Sequence, residues 1–289
     1  MVTQSAGEYV AARRIGDATV TLINDGIFDA TPLIPWMDAP EEDVRRAVPE
    51  ADAGGRVGRS GMIVAHVRIG AASVLVDPGF GALPPESWLA RELELRPTPG
   101  VQAGLAAAGI QPDQITHVVI THAHGDHFTG ATLTCDGRRV PRYPRARYVL
   151  GRADWDGNPA REDPDSETSI HLGTLERAGL LDLVEGDCDV APGVTMLAAP
   201  GESPGHAVVR VQSAGESFYH LGDLFHHRCE VEHPEWVMTG RDTPAMIASR
   251  ERLVSEAVPS GATVVFTHNI FPGWGRIAVT GSGYRWEDV

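Results

Sequence analysis

The sequence contains no apolar run as long as the ~18 residues that cross a bilayer, and its first ten residues lack a basic stretch followed by an apolar one. Neither a membrane span nor a secretory leader is therefore expected, and the chain is read as cytoplasmic. Cysteine is scarce. Cys135, Cys188 and Cys229 are an odd number at unrelated spacings, which suits reduced thiols better than a disulfide frame, and none sits in a metal pattern. Positive charge is in deficit as well: 24 Lys and Arg stand against 39 Asp and Glu, a formal net charge of −15. Such a surface repels phosphate backbones, so a nucleic-acid partner is not expected. Internal repeats and low-complexity tracts are also missing. What remains is 289 residues, 42% hydrophobic, enough to bury a large core and read here as a single domain spanning 1–289.

Histidine is the residue that speaks. Residues 121 to 127 read Thr-His-Ala-His-Gly-Asp-His, directly after the β-branched run 115–121, so several metal-ligand side chains crowd a loop at the end of a buried strand. Imidazole and carboxylate are the ligand set of Zn²⁺ and its first-row neighbours, and one short segment needs distant help to close a site. Three downstream segments offer it. His206 leaves a Pro/Gly-rich turn ahead of the apolar run 207–211, Asp223 follows the run 218–222, and His268 follows 263–267. Each candidate lies at a strand edge, where α/β sheets present their chemistry.

In order and spacing, His122, His124, Asp126, His127, His206, Asp223 and His268 resemble the ligand set of the metallo-β-lactamase superfamily in its dinuclear hydrolase form. The strand and turn Val74-Leu-Val-Asp-Pro-Gly79 extend the resemblance over most of the chain. It implies an α/β fold, the αβ/βα four-layer sandwich, with metals at one edge. It also implies that His122, His124 and His206 hold one ion, that Asp126, His127 and His268 hold a second, and that Asp223 bridges them. Two Zn²⁺ per chain are expected, with Mn²⁺ or Fe²⁺ as alternatives. Asp77 would either orient a ligand or merely shape its Asp-Pro-Gly turn.

The chemistry that follows is hydrolysis of a small-molecule ester or lactone by a water whose pKa falls toward neutrality between the ions. Asp126 is the expected proton acceptor, and His226 or His227 the expected donor to the developing oxyanion. Around His268, the run His-Asn-Ile-Phe-Pro-Gly-Trp-Gly resembles the lactonase and methyl parathion hydrolase branch, as does Asn24-Asp-Gly-Ile-Phe28. Acyl-homoserine lactonases, however, carry tyrosine where this chain has His226, which leaves phosphotriesters and thioesters open as substrates. Persulfide dioxygenases share much of the ligand set but use one iron, held by the equivalents of His122, His206 and Asp223.

Elsewhere the pattern gives strands near 18–24, 62–77, 146–150 and 194–199, a short helix at 101–109, and an amphipathic helix from Thr243 capped by that threonine. Segment 27–61, with four prolines, four glycines and a Phe28, Leu33, Ile34, Trp36, Met37 cluster, reads as an irregular binding loop or lid. With Phe271 to Trp274 it would wall an apolar pocket. Five arginines within 138–147 form a solvated loop or a cradle for an anionic group. A homodimer is compatible with the sequence.

Overall fold

The computed structural model describes residues 6–81, 88–281 and 283–289. Two large sheets carry the fold. The first runs in the order Val10–Ile15, Ala18–Phe28, Ser60–Ile69, Ala72–Val76, His117–Ile120, Arg147–Gly151, Leu181–Val184, with Leu95–Pro97 paired to the far end of Ala18–Phe28. Its last four strands are mutually parallel. The second sheet runs Cys188–Ala191, Val194–Ala198, Ala207–Ser213, Glu216–His220, Thr263–Val265, Gly275–Val279, Tyr284–Asp288.

Alternation along the strands explains the layering. Val74, Val76 and Val119 point into a core shared with Val209, Val211, Phe218 and Val265 of the second sheet. Their neighbours Leu75, Val118 and Ile120 point the other way, onto Val101 and Leu105 of helix Gly100–Ala107 and Leu175 of Gly173–Arg177. Strands covered on both faces have no polar side to show, which is why they read as unbroken apolar runs. On the far side, Met246, Leu253 and Val254 of helix Thr243–Ala257 cover Leu197, Val208 and Val264. The result is the expected αβ/βα sandwich.

Three local readings change. The run 62–77 is a hairpin of two strands, broken at Gly70, whose φ of 54° suits a residue without Cβ. Asp242, one residue earlier than expected, caps the long helix by accepting the Ala245 N–H at 3.1 Å, and leaves Pro244 in the first turn. The arginine-rich segment is no open loop: Arg138–Pro141 pairs with Thr132–Cys135, Arg142 donates to Gly130 O, and Arg147 pairs with Asp182.

Segment 27–61 is more ordered than its composition suggests. It holds helices Leu33–Trp36 and Glu41–Ala47, the second with Glu41, Glu42 and Asp43 in its first turn and Arg45 and Arg46 in its last, as the helix dipole favours. Between them, Met37–Asp38 pairs with Val237–Met238 from the other half of the chain. A separate apolar cluster, including Leu33, Met37, Val44, Trp236 and Met238, packs inside this two-part cap.

Candidate metal centre

The sheets meet at one edge through backbone bonds: Ala207 N–H donates to Thr121 O at 2.9 Å and Ile63 N–H to Thr267 O at 2.9 Å. The loops that leave the strands at this edge are thereby forced together. Asp77 shows how the ligand loop is then fixed. Fully buried, with a left-handed φ of 55°, it accepts the Thr121 N–H on Oδ1 (2.8 Å) and the Thr121 hydroxyl on Oδ2 (2.9 Å). Oδ2 also lies 2.8 Å from His127 Nδ1. A carboxylate can only accept here, so Nδ1 carries a proton and Nε2 is the nitrogen turned toward the centre. The same logic orients His268, whose Nδ1 faces Gly61 O at 3.1 Å, and His206, whose Nδ1 faces Ala199 O at 2.9 Å.

A second buried carboxylate staples two ligand loops to each other. Asp154 accepts the Ala123 N–H (2.8 Å) and the Ser203 hydroxyl (2.7 Å) on Oδ2, and the Gly205 N–H (2.6 Å) on Oδ1. Gly222 lets the third loop approach: with φ at 54°, a Cβ there would stand 2.7 Å from His206 Nε2.

The donor atoms gather in two groups, each within 4.8 Å. One contains His122, His124, Glu202 and Asp223, the other Asp126, His127 and His268. Asp223 lies between them, its Oδ2 at 3.8 Å from His122 Nε2 on one side and at 3.3 and 3.2 Å from His127 Nε2 and His268 Nε2 on the other. Six of the seven residues expected from the sequence are thus brought together. His206 is beside them, its ring 5.2 Å from that of His122, but its Nε2 takes the Asp223 N–H at 3.1 Å and it belongs to neither group.

Do these residues suit divalent ions? His127 Nε2 and Asp223 Oδ1 are buried without a hydrogen-bond partner, a state that is expensive unless something else binds them. His122 Nε2 and His124 Nδ1 lie 2.8 Å apart, within hydrogen-bond distance of each other. Electrostatics agree. Burial, with His127 and His124 beside it, pushes His122 well below the usual imidazole range. Burial also opposes charge on His127, but Asp223, Asp126 and Asp77 outweigh it and hold that ring well above the range. Nitrogen and oxygen donors crowded this way around excess negative charge fit cations.

A cavity of about 370 Å³ opens over the two groups. Its floor includes His124, Asp126, Asp223 and His268, and its wall Phe28, Trp36, Leu93 and Met238. His226 also lines it, stacked on His268 with ring centroids 5.8 Å apart. Burial disfavours its charge, yet Glu202 and then Asp223 raise its pKa to about 9. Its backbone is anchored from below: Glu230 Oε1 accepts the N–H of both His226 and His227 at 2.9 Å. Arg250, buried on the long helix, pairs with Glu230 and donates to Leu224 O and Trp236 O.

The profile of the metallo-β-lactamase superfamily matches residues 54–268, and these include every donor named above. The chain belongs to the metallo-β-lactamase superfamily. Among curated relatives in it, an N-acyl homoserine lactonase of Bacillus cereus is 24% identical over 166 residues, 57% of this chain and 60% of that one. A probable metallo-hydrolase of Mycobacterium tuberculosis is 29% identical over 205 residues, 63% of this chain and 60% of its own. The chain thus matches somewhat less than two thirds of the length of these relatives. Two solved structures share the fold over nearly the whole length. A dizinc quorum-quenching lactonase in complex with a product has a TM-score of 0.77 at 19% identity, with 97% of each chain covered. AbOPH, a hydrolase in the β-lactamase superfamily, has a TM-score of 0.77 at 21% identity, with 99% of each covered.

Some sequence expectations land elsewhere. Trp274 does not wall the cavity; it sits in the core between the sheets, edge-on to Phe218 at 5.8 Å, and Phe271 packs against the same core. His227 faces Glu50 at 3.2 Å rather than the cavity. Glu202, Arg241, Asp154, Glu230 and Arg250 were missed. An isolated acid or arginine carries no periodicity, and only Glu202, within the same turn as His206, had a signal that could have been followed.

Proposed function

We propose that this chain is a metal-dependent hydrolase that cleaves small esters or lactones. The observation that carries the reading is the convergence of two donor groups on Asp223, under a cavity with an apolar wall. Ions held by His122, His124 and Asp223, and by Asp126, His127, His268 and Asp223, would supply an acidified water and a Lewis-acid hold on the substrate's carbonyl oxygen. His206 stands next to the first group and completes it if its Nε2 gives up the Asp223 N–H. Zn²⁺ is the first choice, and Mn²⁺ or Fe²⁺ have the same ligand chemistry.

The protein's own groups do the rest. Asp126, at the cavity floor with Oδ2 3.6 Å from both His127 Nε2 and His268 Nε2, accepts the proton released as water attacks. His226 supplies an N–H to the oxygen that gains charge, and its seat between Glu202 and Asp223 keeps it a donor. Phe28, Trp36, Leu93 and Met238 take the apolar part of the substrate and exclude bulk water.

Two donor groups, one on each side of Asp223, favour this reading over a dioxygenase that uses a single iron. The test is a hydrolysis screen over lactones, aryl esters, thioesters and phosphotriesters, with protein stripped by chelator and reloaded with Zn²⁺ or Mn²⁺. Turnover of a lactone or ester that disappears with the metal and returns with it supports the proposal. Oxygen uptake on a persulfide, without hydrolysis of any of the four classes, would overturn it.

A further inference from the structure

We propose that Glu202 is a ligand of the ion held by His122 and His124, an inference that rests on the metal-dependent reading above. The two histidines, Glu202 and Asp223 place donor atoms within 4.8 Å of one another, and Glu202 Oε1 lies 3.3 Å from His124 Nδ1. The Glu202 side chain is 0% exposed, and its Oε2 has no hydrogen-bond partner. Arg241 Nη2 is near, 2.7 Å from Oε1, and His226 Nε2 is 3.7 Å from Oε2. Arg241 thus occupies one side of Oε1, whereas Oε2 has only the longer contact to His226, so the buried carboxylate keeps lone pairs open to a further cation.

The backbone explains why the carboxylate points inward. Gly201 has a φ of 141°, and a Cβ there would stand 2.5 Å from the Met246 Cα, so the turn lies flush against the long helix. Gly201 O is held by the Asp242 N–H at 3.0 Å, and the Pro200 carbonyl by the Ser249 hydroxyl at 2.7 Å. With the turn pinned on its outer side, the next side chain faces the ligand loop. His206, four residues on, has its Nε2 occupied by the Asp223 N–H. Glu202 therefore stands in the donor group where the resemblance puts an imidazole. Two imidazoles and two carboxylates make a harder set than three imidazoles and one carboxylate, and they shift preference toward Mn²⁺ or Fe²⁺ relative to such a site.

The experiment must separate a ligand from a mere counter-charge, because Glu202→Gln alone leaves the Arg241 guanidinium bare beside the ions. Zn²⁺ affinity is measured by chelator competition on the parent, on Glu202→Gln, on Arg241→Gln and on the double variant, with circular dichroism of each to check the fold. Co²⁺-loaded forms are compared by visible absorption, which reports on the ligands bound to the ion. If Glu202 is a ligand, the double variant still binds one of its two equivalents at least tenfold more weakly than the parent. Its cobalt spectrum also changes, whereas Arg241→Gln alone keeps the parent's spectrum. A double variant with parent affinity at both sites and the parent's spectrum would overturn the proposal and leave Glu202 as the partner of Arg241. A parent that binds metal but hydrolyses nothing would sink the functional reading alone, since the affinity comparison is still decided by its own outcome.

Discussion

The floor and the cap of the cavity are built on opposite plans. The floor is made of loops pinned at strand ends by backbone bonds and by two buried carboxylates, Asp77 and Asp154, that hold ligand loops at 2.6 to 2.9 Å. The cap is made of short pieces, Leu33–Trp36, Met37–Asp38 and Val237–Met238, around a small apolar cluster of its own. Rigid sheet edges fix the geometry that ions require, while a cap with a separate core can change its lining without disturbing that geometry. Substitutions in the two regions should therefore separate effects on metal binding from effects on the cavity wall.

The largest effect is expected at the floor. Asp223→Ala should lower turnover about 10³-fold or more, because ions worth several kcal/mol to the transition state lose their shared ligand. The far-ultraviolet circular dichroism should stay that of the parent; near-parent turnover would remove Asp223 from its central position. Arg250→Met comes next. It leaves Glu230 charged and unpaired beneath His226, so urea unfolding should show a loss of about 3 kcal/mol or more. Because Arg250 also holds the Trp236 carbonyl, the damage should spread into the cap while metal uptake persists. Equal loss of metal would show that cap and floor are not separable.

Smaller effects sharpen the same contrast. Asp154→Ala frees the turn of Ser203 and Gly205 from the ligand loop and should weaken metal binding by about 10- to 100-fold, the usual effect of losing a group that orients ligands. Chelator competition measures it. Trp36→Ala should leave metal affinity unchanged and raise KM about tenfold for the best apolar substrate, in keeping with about 1.5 kcal/mol of lost apolar burial. A fall in kcat with KM constant would mean that Trp36 acts on the chemistry and not on binding.

The same contrast governs what the sequence revealed. The floor was legible because ligands ride on apolar strands: the run to Thr121, the strand before Asp77 and the runs before Asp223 and His268 all announce themselves by β-branched residues. The sandwich followed for the same reason, since strands buried on both faces show it in composition. The cap reads as irregular in sequence because its prolines and glycines mask short helices, and because Met37–Asp38 finds its partner near residue 237, a pairing no local pattern encodes. Trp274 resembles pocket wall by its nearness to His268 in sequence, but it leads into strand Gly275–Val279 and packs between the sheets. Glu202, Asp154 and Arg250 depend on contacts across distant segments, and their importance is a property of the folded chain.

The central claim, two ions on one shared aspartate, is tested most directly by metal stoichiometry. The parent, His122→Ala and His268→Ala are stripped with chelator, reloaded with Zn²⁺, desalted and weighed for metal by plasma mass spectrometry. The account predicts two equivalents for the parent and about one for each variant, because each substitution removes an imidazole from a different donor group. A parent that takes up one equivalent or none, or two variants that both still hold two, would contradict it.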